Sequence, residues 1–145
     1  MKISWPAIAI IILGILLIIG PWTFAPVCEV MGSYAQLASG KTIPMPCGWT
    51  ARAEIGIGAL VVLAGVLLAI AQSAEAKRII GVFGAALGVL AILFPTYITR
   101  MCAMAEHPCN TMTKPTLVII GLVIIVISAY VIYQSKKNGT NGHPA

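Results

Sequence analysis

The residues best suited to chemistry in this chain are four cysteines, Cys28, Cys47, Cys102 and Cys109. They fall in two pairs, each in a stretch that separates apolar runs. Paired thiols can close a loop as a disulfide, exchange with other thiols, or hold a soft metal. Four cysteines allow three connectivities. The expected one closes each stretch on itself, Cys28 with Cys47 and Cys102 with Cys109, and the alternative ties the two stretches together. Closing a loop of roughly 20 residues stabilises a fold by about 3 kcal/mol in the chain-entropy model.

A redox role is the second use of the same sulfurs. Some four-helix membrane thiol oxidases carry cysteine pairs in outer loops and pass electrons to a quinone. Their reactive pair is usually Cys-x-x-Cys, with a thiolate stabilised at a helix start. That spacing is absent here. Cys47 and Cys109 do precede apolar helical runs, and each is followed by a cation five residues on, Arg52 and Lys114. A third use is metal binding by Met101, Cys102, Met104, His107, Cys109 and Met112, which gather thioether, thiolate and imidazole within twelve positions. Such donors suit copper. A disulfide would withdraw both sulfurs as thiolates. No cofactor is expected unless one of these alternatives holds, with quinone serving the first and copper the second.

A charged group of different character is formed by Arg52, Glu54 and Lys114. They stand where apolar runs begin, close enough to an interface for long side chains to snorkel. An ion pair with Glu54, or an anion held by Arg52 and Lys114, is the expected use of this cluster. Ionisable residues inside a span are functional candidates by default, because desolvating them is costly.

The elements that must position these residues follow from composition. Of 145 residues, 59% are hydrophobic and 9% charged. Soluble domains carry about 25% charged residues. Lipid must therefore replace solvent over much of the surface. The net charge of +5 does not form a patch with interleaved aromatics, so nucleic acid is not an expected partner. Crossing a hydrocarbon core takes roughly 20 helical residues. Four runs qualify, at about 5–20, 51–72, 79–96 and 115–133, within a transmembrane domain of residues 1–135, and a polar tail follows at 136–145. Lipid leaves no solvent partner for backbone groups, which favours helix over an isolated strand. The residues from Ser73 to Arg78 read as a tight turn between the second and third spans.

Cations mark the cytoplasmic side. Lys2, Lys77, Arg78, Lys136 and Lys137 fall on one side, and Lys41, Arg52, Arg100 and Lys114 on the other. The second side also holds all four cysteines, which suit an oxidising compartment. Both termini are therefore expected in the cytoplasm, in a multi-pass protein of the plasma membrane. Trp22, Trp49 and Tyr97 belong at the outer interface, and Trp5, Tyr130 and Tyr133 at the inner one. Ala25-Pro26-Val27 ahead of Cys28 is a poor cleavage site, so the first span is expected to be retained.

Weak self-similarity divides the chain. Pro46-Cys47-Gly48-Trp49-Thr50-Ala51-Arg52 and Pro108-Cys109-Asn110-Thr111-Met112-Thr113-Lys114 each place a cation five residues after a cysteine and then open an apolar run. The expected fold is all-α: a four-transmembrane-helix bundle, readable as two parallel helix–loop–helix repeats with extracytoplasmic disulfide loops. Helices meet in lipid through small residues. Gly84 and Gly88, extended by Gly81, supply such a face on the third helix, and Gly65 and Ala69 supply one on the second. These faces are expected to pack inside the bundle, with a second subunit as the alternative.

Cys47-Gly48-Trp49-Thr50-Ala51-Arg52-Ala53-Glu54-Ile55-Gly56, together with Phe94-Pro95-Thr96 leading to Met101-Cys102 and Pro108-Cys109, resembles an uncharacterised prokaryotic family, domain of unknown function 4418. The likeness covers most of the chain, from the first helix to the fourth. It implies an accessory membrane subunit beside an ABC-type transporter and carries over no catalytic residues. The expected function is accordingly a non-enzymatic membrane accessory or scaffold subunit. Its expected partners are the lipid bilayer and a membrane protein or a second copy of itself. Thiol–disulfide exchange and copper binding are the alternatives.

Overall fold

A computed structural model describes residues 4–23, 26, 35–36, 38–43, 46–98 and 109–140. Four helices dominate: α1 (Trp5–Ile19), α2 (Pro46–Ile70), α3 (Ala74–Leu93) and α4 (Lys114–Thr140). Short turns extend them at one end of the bundle. A 3-10 turn, Gly20–Trp22, continues α1; a π-turn, Phe94–Ile98, continues α3; and a π-turn, Cys109–Thr113, leads into α4. Between α1 and α2 lies a small antiparallel ribbon, β1 (Ala35–Gln36) paired with β2 (Thr42–Ile43). Each helix, with the turns that extend it, is long and apolar enough to cross a membrane, over Trp5–Trp22, Gly48–Ile70, Ala74–Ile98 and Thr111–Lys137. The chain is an all-α, four-helix membrane protein.

Two boundaries differ from expectation. Residues Ser73 to Arg78 do not form a turn: Ser73 caps α3 by accepting a hydrogen bond from the Ala76 amide at 3.2 Å, with Glu75 in the first turn. A serine oxygen there satisfies one of the orphan amides of a helix start, and a nearby acid complements the dipole. Only Ala71 to Ser73 connects α2 to α3. At the far end, α4 continues past Tyr133 through Lys136 and Lys137 to Thr140.

Each helix turns a seam of three- and four-residue spacings to the interior. On α1 and its extension the seam is Ala7, Ile10, Gly14, Leu17 and Pro21; on α2 it is Thr50, Glu54, Ile57, Val61, Ala64 and Leu68. The α3 seam is Gly81, Gly84, Gly88, Ala91 and Pro95. On α4 it is Leu117, Ile120, Ile124, Ser128, Val131 and Ser135, and Thr113 caps it from the preceding turn. A seam of this period faces one neighbour over many turns. Large aliphatic side chains fill the middle of the bundle, and the outward faces carry exposed Ile, Val and Leu side chains that belong in lipid.

Contact is densest within α1–α2 and within α3–α4, and sparser between the two pairs. Each pair crosses at a reciprocal glycine contact. A Cβ built on Gly14 would lie 2.9 Å from the Gly58 carbonyl oxygen, and one built on Gly58 would lie 2.8 Å from that of Gly14. In the second pair, a Cβ built on Gly88 or on Gly121 would lie 2.9 Å from the other's carbonyl oxygen. Gly65 fits against Ala7 and Ile11 of α1, and Gly81 and Gly84 fit against α4 at Ser128 and Ile132. Ala69 packs at the edge of the core. The missing side chains let backbones touch, gaining van der Waals contact and weak Cα–H···O bonds that lipid cannot replace.

Gly88→Ala should therefore force α3 off α4. We expect a loss of about 1–3 kcal/mol, the usual cost of overpacking, seen as earlier unfolding in detergent. Gly56→Ala is the control, because the space beside Gly56 is open. Equal losses at both positions would contradict the crossing.

Candidate functional site

Among the described residues two buried groups lack a hydrogen-bond partner, the Ser128 hydroxyl on α4 and the Glu54 carboxyl group on α2, and the carboxyl group is the costlier to bury. Glu54 is fully buried, and neither carboxylate oxygen accepts a hydrogen bond among the described residues. It follows Gly48, where the second span begins, by six residues, so it lies roughly 9 Å along the helix at 1.5 Å per residue. Burying an ionised carboxylate without a partner costs several kcal/mol. The side chain is sealed because it occupies the α2 seam, one step before Ile57 and Val61. Arg52, two residues earlier, lies on the opposite side of α2. It is exposed, and its guanidinium stands over the Trp49 ring at 5.6 Å from the centroid. A cation over an indole face is favourable and tolerates an interface.

These positions correct the expected charge cluster. Glu54 neither snorkels to the interface nor forms the expected ion pair with Arg52 or Lys114, because its oxygens are enclosed. Lys114 is half-buried at the start of α4. A three-four register linking Glu54 with Ile57, Val61, Ala64 and Leu68 was the available sequence signal for this burial.

The outermost layer of the bundle consists of Pro21, Thr50, Glu54, Pro95 and Thr113, all fully buried. α2 packs against the Phe94–Ile98 turn that carries Pro95. Proline has no N–H to donate. Pro21 and Pro95 therefore deny the carbonyls of Leu17 and Ala91 the donor a regular helix would supply. Thr96 bends its hydroxyl back onto the Ile92 carbonyl at 2.6 Å. Thr113 donates to the Pro26 carbonyl at 3.4 Å, joining the start of α4 to the segment after α1. The layer thus gathers carbonyls, hydroxyls and one carboxyl group at the same end of the bundle. Its chemistry suits a proton or a hard cation better than a soft metal. π-turns often accompany functional positions, and two of them border this layer.

The cysteine chemistry falls largely elsewhere. Cys28, Met101, Cys102, Met104 and His107 lie outside the described residues. Cys47 occupies the first turn of α2, and Cys109 opens the turn into α4, but the description of both stops at the backbone. Met112 is exposed. Among the described residues, no three His, Cys, Asp or Glu side chains gather as metal ligands.

Removing the orphaned carboxylate should stabilise the fold if burial is its only role. Glu54→Met keeps similar length without the polar atoms, and we expect a gain of about 1–3 kcal/mol, the usual penalty of an unsatisfied buried group. Thermal unfolding in detergent checks this. A clear loss of stability would show that the carboxyl group has a partner.

No curated protein and no solved structure matches the chain. A family model described as a domain of unknown function, DUF4418, matches residues 10–134, and the chain belongs to that family.

Proposed function

We propose that this protein is a non-enzymatic accessory or scaffold subunit of a larger membrane assembly, with an ABC-type transporter as the partner class that the family likeness suggests. The observation that carries this reading is a contrast between interior and exterior. Inside, Ile10, Leu17, Val61, Leu117 and Ile124 fill the bundle from helix to helix, which argues against conduction through a single copy. Outside, α2 presents Trp49, Arg52, Gly56, Leu60 and Leu63 along one exposed face. Nothing within 4 Å would meet a Cβ at Gly56. The other helical glycines discussed above are spent on contacts inside the chain. A glycine on a lipid-facing surface permits close approach by another helix.

The proposed setting is the plasma membrane, with the start of α1 and the end of α4 in the cytoplasm. Cation balance and the position of the cysteines favour that orientation. Thiol exchange and copper binding depend mainly on residues outside the described ones, so the geometry adds no weight to either.

Tagged protein purified from its native membrane in mild detergent should carry another membrane protein in fixed proportion. Gly56→Leu should release that partner while leaving the unfolding temperature unchanged. A lone monomer from both preparations would contradict the proposal.

A further inference from the structure

The opposite end of the bundle holds a second polar site that shares no residue with the Glu54 layer. There the four helices converge on a small cleft of about 50 Å³, lined by Ser4, Pro6, Leu68, Lys77, Val131, Gln134 and Ser135. One water needs about 10–15 Å³ by the same measure, so the cleft accommodates a polyatomic group of several heavy atoms. Its lining includes no carboxylate. Ser135 is 6% exposed, yet its hydroxyl engages no other described residue. Ser4 caps α1 without a side-chain hydrogen bond. Lys77 is half-buried in the first turns of α3, and its ammonium likewise engages no described residue. Gln134 is already committed, donating to the Tyr130 hydroxyl at 2.7 Å.

Three donors that engage no other described residue, one of them cationic, therefore line a cavity of small-anion size. An ammonium and hydroxyls without an opposing carboxylate recognise an oxyanion, and the charged donor makes the stronger bonds. Close in sequence to the lining residues are further cations, Arg78, Lys136 and Lys137, and exposed rings, Trp5 and Tyr133, while the one carboxylate near them in sequence, Glu75, is exposed outside the cleft. Rings of this kind settle at headgroup depth. Below Trp5 on α1, Ile8 and Ile12 are exposed and offer an apolar wall for an acyl chain. Basic pockets between transmembrane helices are suited to lipid phosphates.

We propose that this cleft binds the phosphate of an anionic phospholipid headgroup, with Lys77 as the charged donor and the Ser4 and Ser135 hydroxyls completing the cradle. The lipid phosphate would then fasten the start of α1 to the end of α4, on the face where no loop joins them.

The full chain, purified in detergent and titrated with phosphatidylglycerol, tests this by native mass spectrometry and by unfolding temperature. Wild-type protein should retain the lipid and unfold later in its presence. Lys77→Gln should weaken binding roughly fivefold, one cation's contribution at a membrane surface, and Ser135→Ala should weaken it further. Lys77→Arg should keep most of the binding, which separates lost recognition from lost folding. Arg78→Gln, which removes an adjacent exposed cation outside the cleft, should weaken binding clearly less than Lys77→Gln. Equal losses at Lys77 and Arg78 would overturn the site in favour of diffuse attraction. Protection by inorganic phosphate without any response to phosphatidylglycerol would overturn the lipid as its source. Absence of binding to either ligand would overturn the site itself.

Discussion

Backbone-on-backbone contact at two reciprocal glycine pairs is the constraint on which this bundle depends. In water, helices are pressed together by the loss of apolar surface. In lipid that drive is absent, because a Leu side chain gains little by exchanging acyl chains for another Leu. What remains is close fit. Gly14 against Gly58 and Gly88 against Gly121 bring carbonyl oxygens to within 2.8–2.9 Å of where a methyl group would stand. At that distance even alanine is too large. The fold is therefore two tightly crossed helix pairs, and the aliphatic seams between them complete the interior.

This division places different demands on the two ends. At the end bearing the π-turns, the seams finish in polar or proline residues rather than aliphatic ones. Glu54 is held there by the same register that buries Ile57 and Val61, so its desolvation follows from its position on α2. A protein that needed only stability would be better served by an aliphatic residue at that position. The buried carboxyl group is thus a cost to stability that the surrounding helix register alone does not offset. At the other end, Ser135 and Lys77 line a cleft and engage no other described residue.

Much of the architecture was legible in the sequence. Long apolar runs can only be helices in lipid, and Gly65, Gly81, Gly84 and Gly88 stood out as packing residues by their spacing. Gly14, Gly58 and Gly121 escaped because none belongs to a GxxxG string facing its partner. Their role depends on which helices cross, and a one-dimensional pattern does not encode it. Glu75, Lys77 and Arg78 look like a polar turn, which hides the start of α3. Ser73 as a cap with an acid two residues on was the overriding signal. Arg52 and Glu54 were grouped because they are close in sequence. Two steps along a helix, however, send one side chain to the Trp49 ring and the other into the core.

The most direct measurement of this account is cysteine cross-linking in native membranes, on a background with the four native cysteines replaced by serine. Ile11→Cys with Val62→Cys should close on oxidation, because Ile11 packs over Gly65 and Val62 over Gly14 of the facing helix. Ile92→Cys with Ile125→Cys should behave alike, because Ile92 packs over Gly121 and Ile125 over Gly88. The mixed combination of Ile11→Cys with Ile125→Cys should remain open. Closure of the mixed combination, with both matched pairs left reduced, would contradict the division into two glycine-crossed helix pairs.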